Sequence, residues 1–296
     1  MIGEIAALTA ALLWALSSIV YGVLGQKIPP LQLNFLKGIV AIVLIVFTLG
    51  IQRVEFTLIA PLPLAILALS GLVGIGLGDT AYFLALNNLG ARKTLLLETL
   101  SPPLGAFLAF IILGEIISPV AWCGILLTLL GVVWVISERT IDSHIRNRYG
   151  IIWAILAAIA QSVGAVLSRF ALIDSGISPL ESSLIRLAAG TAIAILLMQI
   201  PAFSATQSLK KTIKGFSWRT VGIIILAAFG STYLGIWLQQ ISLKFSPTGI
   251  AQTLLATSPL FIIPIAFIMG DKVTLRSFFG VIIAIAGISL LFIRGI

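Results

Sequence analysis

The whole chain contains one cysteine, Cys123, and one histidine, His144. A lone cysteine closes no intrachain disulfide, and this one lies inside an apolar run, so it does not report the redox compartment. A lone histidine in a polar stretch builds neither a histidine metal cluster nor a histidine-based triad, so no metal and no cofactor is expected. Charge is scarce too: 9% of residues are charged, against roughly 25% in a soluble domain. No Gly-rich phosphate loop ending in Lys-Ser/Thr occurs, which argues against a built-in ATPase. The charges sum to +8, but Lys and Arg sit mostly between apolar runs, the usual membrane pattern. No basic patch interleaves with aromatics, so no nucleic-acid partner is expected.

What the chain does have is apolar length. Its hydrophobic fraction is 59%, more than a soluble fold could hide from water. Ten apolar runs stand at about 4–24, 32–50, 64–87, 92–113, 119–137, 150–171, 179–199, 219–243, 247–269 and 275–293. Segments of about 20 residues are long enough to cross a ~30 Å hydrocarbon core. Only helices or closed barrels satisfy their own backbone in lipid. The expectation is therefore an all-α integral membrane protein with ten transmembrane helices, spans 1 to 10. The first run opens with Glu4 rather than a basic region and is expected to stay as a span.

The runs are organised by an internal repeat, the feature that must be sought first because missing it mis-reads the fold. Adding 156 turns Gly74, Pro103, Gly114, Gly124 and Gly131 into Gly230, Pro259, Gly270, Gly280 and Gly287, and Glu115 into Asp271. Upstream the offset shrinks to 149, which pairs Lys37 with Arg186, and to 147 at the first span. The chain divides into a five-helix module at 1–138, a polar linker at 139–148 and a second module at 149–296. Five spans per module is an odd number, so the second module lies upside down relative to the first. Lys and Arg agree: with the linker included, the counts put connections 1–2, 3–4, 5–6, 7–8 and 9–10 in the cytoplasm. Inverted repeats are the mark of secondary transporters, in which the two halves exchange roles as a central site opens to either side.

At this point the residues resemble a known family. Two tandem five-span modules carry Ser101-Pro102-Pro103 and Ser258-Pro259 at mid-span, then Gly114-Glu115 and Gly270-Asp271, then the pairs Gly124/Gly131 and Gly280/Gly287. This ordered set is similar to the EamA modules of the drug/metabolite transporter superfamily. One departure is Ile116, where a basic residue usually follows the acid; Lys272 keeps it in the second half. The resemblance implies a multi-pass carrier of the inner (plasma) membrane, acting as monomer or homodimer on a small-molecule substrate, often outward. Amino acids and related metabolites are the leading substrate class, with drugs or sugar phosphates on the same fold as alternatives.

Polar side chains inside spans are costly and usually face a cavity or a partner. Helical spacing groups them into faces. Trp14, Ser18 and Tyr21 share one face of span 1, and Gln161 marks the matching face of span 6. Tyr233, Trp237 and Gln240 form a stripe in span 8, and Gln252 lies in span 9. These are the candidate substrate-binding residues, with Trp237 and Gln240 foremost. Glu98, Lys37, Arg186 and Asp79 are candidates for coupling or gating. Glu98 suits a coupling proton, or else a permanent ion pair with Lys37, Arg169 or Arg186. Lys37 and Arg186 lie about two turns into their spans, on opposite sides of the membrane, and can snorkel or draw an anion. Pro103 and Pro259 are expected to kink their helices around a cavity; the glycine pairs and Gly74/Gly78 are expected to serve close helix packing.

An enzyme alternative rests on Gly76-Leu77-Gly78-Asp79, a GxGD signature of intramembrane aspartyl proteases. That chemistry needs a second carboxylate sharing a proton with the first. The Tyr-Asp that would supply it is missing from the chain, so an enzyme is not expected.

Overall fold

A computed structural model describes residues 1–52, 59–136, 148–173, 175–200, 209–261 and 275–292. Each apolar run is helical over its described residues. In the first half these are α1 (Ile2–Leu24), α2 (Pro30–Gln52), α3 (Pro61–Gly71), α4 (Asp79–Glu98), α5 (Ser101–Leu113) and α6 (Pro119–Ile136). In the second they are α7 (Arg148–Leu172), α8 (Pro179–Met198), a short α9 (Leu209–Lys214), α10 (Trp218–Ala228), α11 (Gly235–Phe245), α12 (Thr248–Leu255) and α13 (Leu275–Phe292). Among the described residues, six helical stretches are at least 18 residues long and apolar enough to cross a membrane, and Ser101–Leu113, Pro119–Trp134 and Phe278–Phe292 are shorter apolar helices.

Local sequence explains the ends. Proline opens α2, α3, α6 and α8, where its missing N–H costs nothing. Ser178 and Glu181 form a reciprocal capping box at α8. Ser118 accepts the Ala121 N–H at 3.2 Å and starts α6. Gly114 ends α5 with a φ of 64°, a left-handed conformation that favours glycine.

Two irregularities occur in both halves. Span 3 contains a π-helical turn, Leu72–Gly78, and span 8 contains another, Phe229–Leu234, at the repeat-equivalent place. Spans 4 and 9 do not merely kink at their prolines, as expected; they break. Thr99–Leu100 separates α4 from α5, and the helix of span 9 stops at Leu255 and resumes at 258–261. Pro102-Pro103 and Pro259 therefore sit in the first turn of a new half-helix, the position proline tolerates best. Residues 262–274, with Gly270 and Asp271, lie outside the described residues.

Helical hydrogen bonding continues through the expected connection between spans 3 and 4, yet the chain doubles back there. Gly78 lies against Ala160 and Leu89 against Gly150, so this stretch runs antiparallel to α7. Ser101 then meets Ser162, and Glu115 meets Arg169, so α5 runs parallel to α7.

The helix pairings are equivalent in the two halves. α1 packs against α11 and α12 of the other half, as α7 packs against α3, α4 and α5. α2 pairs with α8, and α6 pairs with α13. The last crossing depends on small residues: a Cβ on Gly131 would sit 2.6 Å from the Gly280 carbonyl oxygen, and one on Gly124 3.0 Å from that of Gly287. Gly74 and Gly78 likewise let span 3 lie on Gly164 and Ala160 of α7.

The surface is inverted relative to a water-soluble fold. Phe47, Phe107, Phe110, Leu130 and Leu226 point outward, while Ser70, Ser162, Ser168 and Gln240 are fully buried. Such burial demands partners. Ser70 donates to the Gly164 carbonyl at 2.6 Å and lies 2.8 Å from Ser168, stitching the two halves together.

Candidate functional site

The two irregularities converge on one cavity of about 210 Å³ between the halves. Its wall comes from spans 1 to 4 and 6 to 9, while spans 5 and 10 pack outside it. Both π-turns and both helix breaks border it, through Ile75, Ser231 and Thr232, and through Thr99, Ala256 and Ser258. A π-turn shifts the hydrogen-bond register and leaves carbonyls short of partners, which is why such turns recur at functional sites. Here other helices supply the donors. Trp14 Nε1 donates to the Ser231 carbonyl at 2.8 Å, and Asn34 Nδ2 donates to the Ile75 carbonyl at 3.0 Å. The two breaks are tied by Ser101, whose Oγ donates to Gln252 Oε1 at 2.7 Å and whose carbonyl accepts from Ser162 Oγ at 2.9 Å.

The cavity gathers most of the residues singled out above. Trp14, Ser18 and Tyr21 line it from α1, Gln161 from α7 and Gln252 from α12. Lys37, Asp79, Glu98, Arg186 and Pro259 line it as well, whereas Pro103 does not and Pro102 does. Tyr21 Oη lies 2.9 Å from Ser231 Oγ, linking span 1 to the π-turn of span 8.

Four ionisable groups thus face one space. Lys37 Nζ lies 2.5 Å from Asp79 Oδ2 and 5.1 Å from the centre of the Phe83 ring. Asp79 Oδ1 accepts from Gln161 Nε2 at 3.2 Å, so both its oxygens are occupied. Arg186 donates through Nη1 to Gln239 Oε1 at 3.2 Å, and its buried Nε has no partner. Glu98 Oε1 is buried and also without a partner.

Several expectations change. Lys37 and Arg186 do not snorkel on opposite sides; they are 7% and 1% exposed and share one cavity. The reason is that their helices, α2 and α8, pack directly against each other. Glu98 makes none of the three ion pairs considered: Lys37 is held by Asp79, Arg169 by Glu115, and Arg186 by Gln239. Asp79 is not half of a carboxylate pair, since a lysine and an amide hold it.

The foremost pair is also displaced. Tyr233, Trp237 and Gln240 do not line the cavity; Thr232, Ile236 and Gln239 do, one residue earlier at the same spacing. Tyr233 Oη lies 2.8 Å from Thr48 Oγ1, and Trp237 packs beside it on the apolar cluster around Ala41, Ile45 and Leu49. Gln240 is buried against α8, where Ser182 Oγ donates to its Oε1 at 2.9 Å. The aromatic stripe belongs to the α2/α8 packing.

Sequence reasoning also missed a clip beyond the cavity. Arg169 Nε donates to Glu115 Oε1 at 2.7 Å, and its Nη1 donates to the carbonyls of Leu243 and Lys244. Glu115 Oε2 accepts the Thr248 N–H at 2.8 Å, where α12 begins. One ion pair thereby joins spans 4, 6, 8 and 9. The advance signals were Glu115, read as part of a family resemblance, and Arg169, read as a candidate partner of Glu98 rather than of Glu115.

The EamA-like transporter family matches residues 1–137 and again 148–293. The chain belongs to the EamA-like transporter family. It is therefore a multi-pass membrane transporter of a small-molecule substrate and not an enzyme. A solved crystal structure superposes with a TM-score of 0.79 over 97% of this chain and 95% of its own, at 18% sequence identity, which shows the shared fold. No curated protein sequence matches the chain.

Proposed function

We propose that this EamA-like protein is a secondary carrier of the inner (plasma) membrane that exports amino acids or related small metabolites by alternating access. The observation that carries the reading is the cavity between the halves, bordered by a π-turn and a broken helix from each. Discontinuous helices at a repeat interface are where such carriers bind their substrates. Size favours a metabolite over a drug, since about 210 Å³ falls below the roughly 300–1,000 Å³ of drug-sized pockets. Within this reading Trp14, Ser18, Tyr21, Gln161 and Gln252 contact the substrate, and Glu98 is the coupling acid. Its carboxyl has an unpartnered oxygen at the cavity, while its repeat mate, Leu254, is fully buried among apolar side chains. Each chain holds a complete cavity, so a monomer suffices, alone or within a homodimer.

The test is counterflow in liposomes reconstituted with purified protein and loaded with single amino acids. Accumulation of at least one labelled amino acid, abolished by dissipating the loaded gradient, is the expected result. Counterflow by sugar phosphates or lipophilic cations, with none by any amino acid, would replace this reading by the alternative of the same fold.

A further inference from the structure

We infer that Arg186 is the anchor for a carboxylate group on the transported solute. The inference rests on the cavity being the transport site and adds the chemistry of what it holds.

Lys37 and Arg186 are repeat mates. Around Lys37 stand Asp79, which takes its charge, and Phe83, whose ring lies beneath it. The mates of these two residues, 156 positions later, are Gly235 and Gln239. Arg186 therefore meets an amide where Lys37 meets a ring, and the position that matches the acid of Lys37 is a glycine. The substitution is built in: a side chain on Gly235 would run into Trp14 Nε1, so no acid fits there. Asp79 gives its direct contacts to Lys37 and Gln161 and acts on Arg186 only through space, with no hydrogen bond between them. Among the described residues Arg186 makes no ion pair.

A guanidinium is always charged and offers five donors in a planar fork. Here it is 1% exposed, lines the cavity, uses Nη1 on Gln239 and leaves Nε without an acceptor. Burying a charge without a partner is costly. A cation kept this way in a binding cavity, while its mate is neutralised, is a receptor for an anion brought from outside. A carboxylate matches the fork with two parallel hydrogen bonds. The cavity's other cation is cancelled by Asp79, so while the coupling acid Glu98 is protonated the net complement is one negative group, which suits an amino acid or hydroxy acid better than a dianionic phosphate.

The test measures thermal stabilisation of the detergent-purified protein, since a ligand that binds the folded state raises its melting temperature. The probes are the standard L-amino acids, their primary amides and the matching 2-hydroxy acids. At least one carboxylate should stabilise the wild type while its amide does not. Arg186→Gln should bind that carboxylate about ten- to a hundredfold more weakly, the usual loss for a charged hydrogen bond. Gln239→Glu is isosteric and places an internal acid on Arg186 Nη1. It should keep the fold, raise the melting temperature and compete out the carboxylate by a similar factor, so it decides the matter even if Arg186→Gln does not fold. Amides binding as well as acids, no acid binding at all, or Gln239→Glu binding the acid at wild-type strength would each overturn the inference. Stabilisation by hydroxy acids and not amino acids would leave Arg186 as the anchor and remove the amino-acid reading instead.

Discussion

Asp79→Asn is the perturbation whose consequence follows most directly from the geometry. The two side chains of the Lys37–Asp79 pair are 9% and 15% exposed. Asparagine keeps the shape and one acceptor for Gln161 but removes the only carboxylate bound to Lys37. What remains beside the ammonium is the Phe83 ring at 5.1 Å, an interaction of roughly 0.5–2 kcal/mol. Removing one partner of a buried pair costs about 3–5 kcal/mol. Because the cavity gives the ammonium some access to water, the loss is somewhat smaller, about 2–4 kcal/mol. At roughly 2–4 °C per kcal/mol, the melting temperature should fall by about 4–16 °C. Lys37→Met should cost a similar amount, since it leaves Asp79 charged and held only by Gln161. The double variant Lys37→Met, Asp79→Asn removes both charges and should recover most of the loss, giving a coupling of about 2 kcal/mol or more. Melting followed by intrinsic fluorescence in one detergent, on all four proteins, measures the cycle. Asp79→Asn melting with the wild type, or a double variant less stable than either single one, would refute the reasoning.

Four further outcomes are expected. Glu98→Gln should lose gradient-driven flux in proteoliposomes while retaining counterflow, because an amide mimics one protonation state only; full gradient-driven flux in the variant removes Glu98 from coupling. Arg169→Leu strips the clip of three contacts at once and should lower stability by about 3–5 kcal/mol, read as a melting shift larger than that of Glu115→Gln. Gly131→Leu should prevent normal folding through overpacking of α6 on α13, whereas Gly22→Leu, with nothing within 4 Å of the new Cβ, should purify in normal yield. Trp237→Ala and Gln240→Ala should reduce melting temperature and leave substrate affinity within about twofold, a modest effect on the ligand-binding free energy.

The spans were legible because length and apolarity decide them, and the repeat was legible because proline and glycine keep their spacing when other residues drift. The route of the chain at finer scale was not. A π-turn changes which hydrogen bonds close and leaves composition untouched, so nothing at Phe229–Leu234 announced that the face downstream would begin at Thr232. Two stripes with identical spacing, 232/236/239 and 233/237/240, were available, and the aromatic one looked more like a site. Its rings instead fill the α2/α8 core. Charge partners were equally hidden: Asp79 lies 42 positions from Lys37, and Glu115 lies 54 from Arg169. Helical periodicity relates residues within a helix and says nothing of which faces meet. Glu98, by contrast, stood out as an intramembrane acid, and the structure brings it to the cavity.

The comparison of the halves separates what the frame requires from what the cargo requires. Features present twice, such as the π-turns, the broken helices and the crossing glycines, belong to the frame that the two modules share. Features present once lie outside it. Asp79 faces Gly235, Phe83 faces Gln239, Gln161 faces Trp14, and Glu98 faces Leu254 across the repeat. Five of these eight residues face the cavity with polar or charged groups: Asp79, Gln239, Gln161, Trp14 and Glu98. A symmetric cavity would present the same groups from both sides and would suit a solute with like ends. This one presents an ion-paired lysine and, among the described residues, an arginine with no ion pair, with Glu98 beside one of the breaks. Such a lining suits a solute with unlike ends, held in one orientation, and the asymmetry that fixes the orientation lies in the single-copy residues.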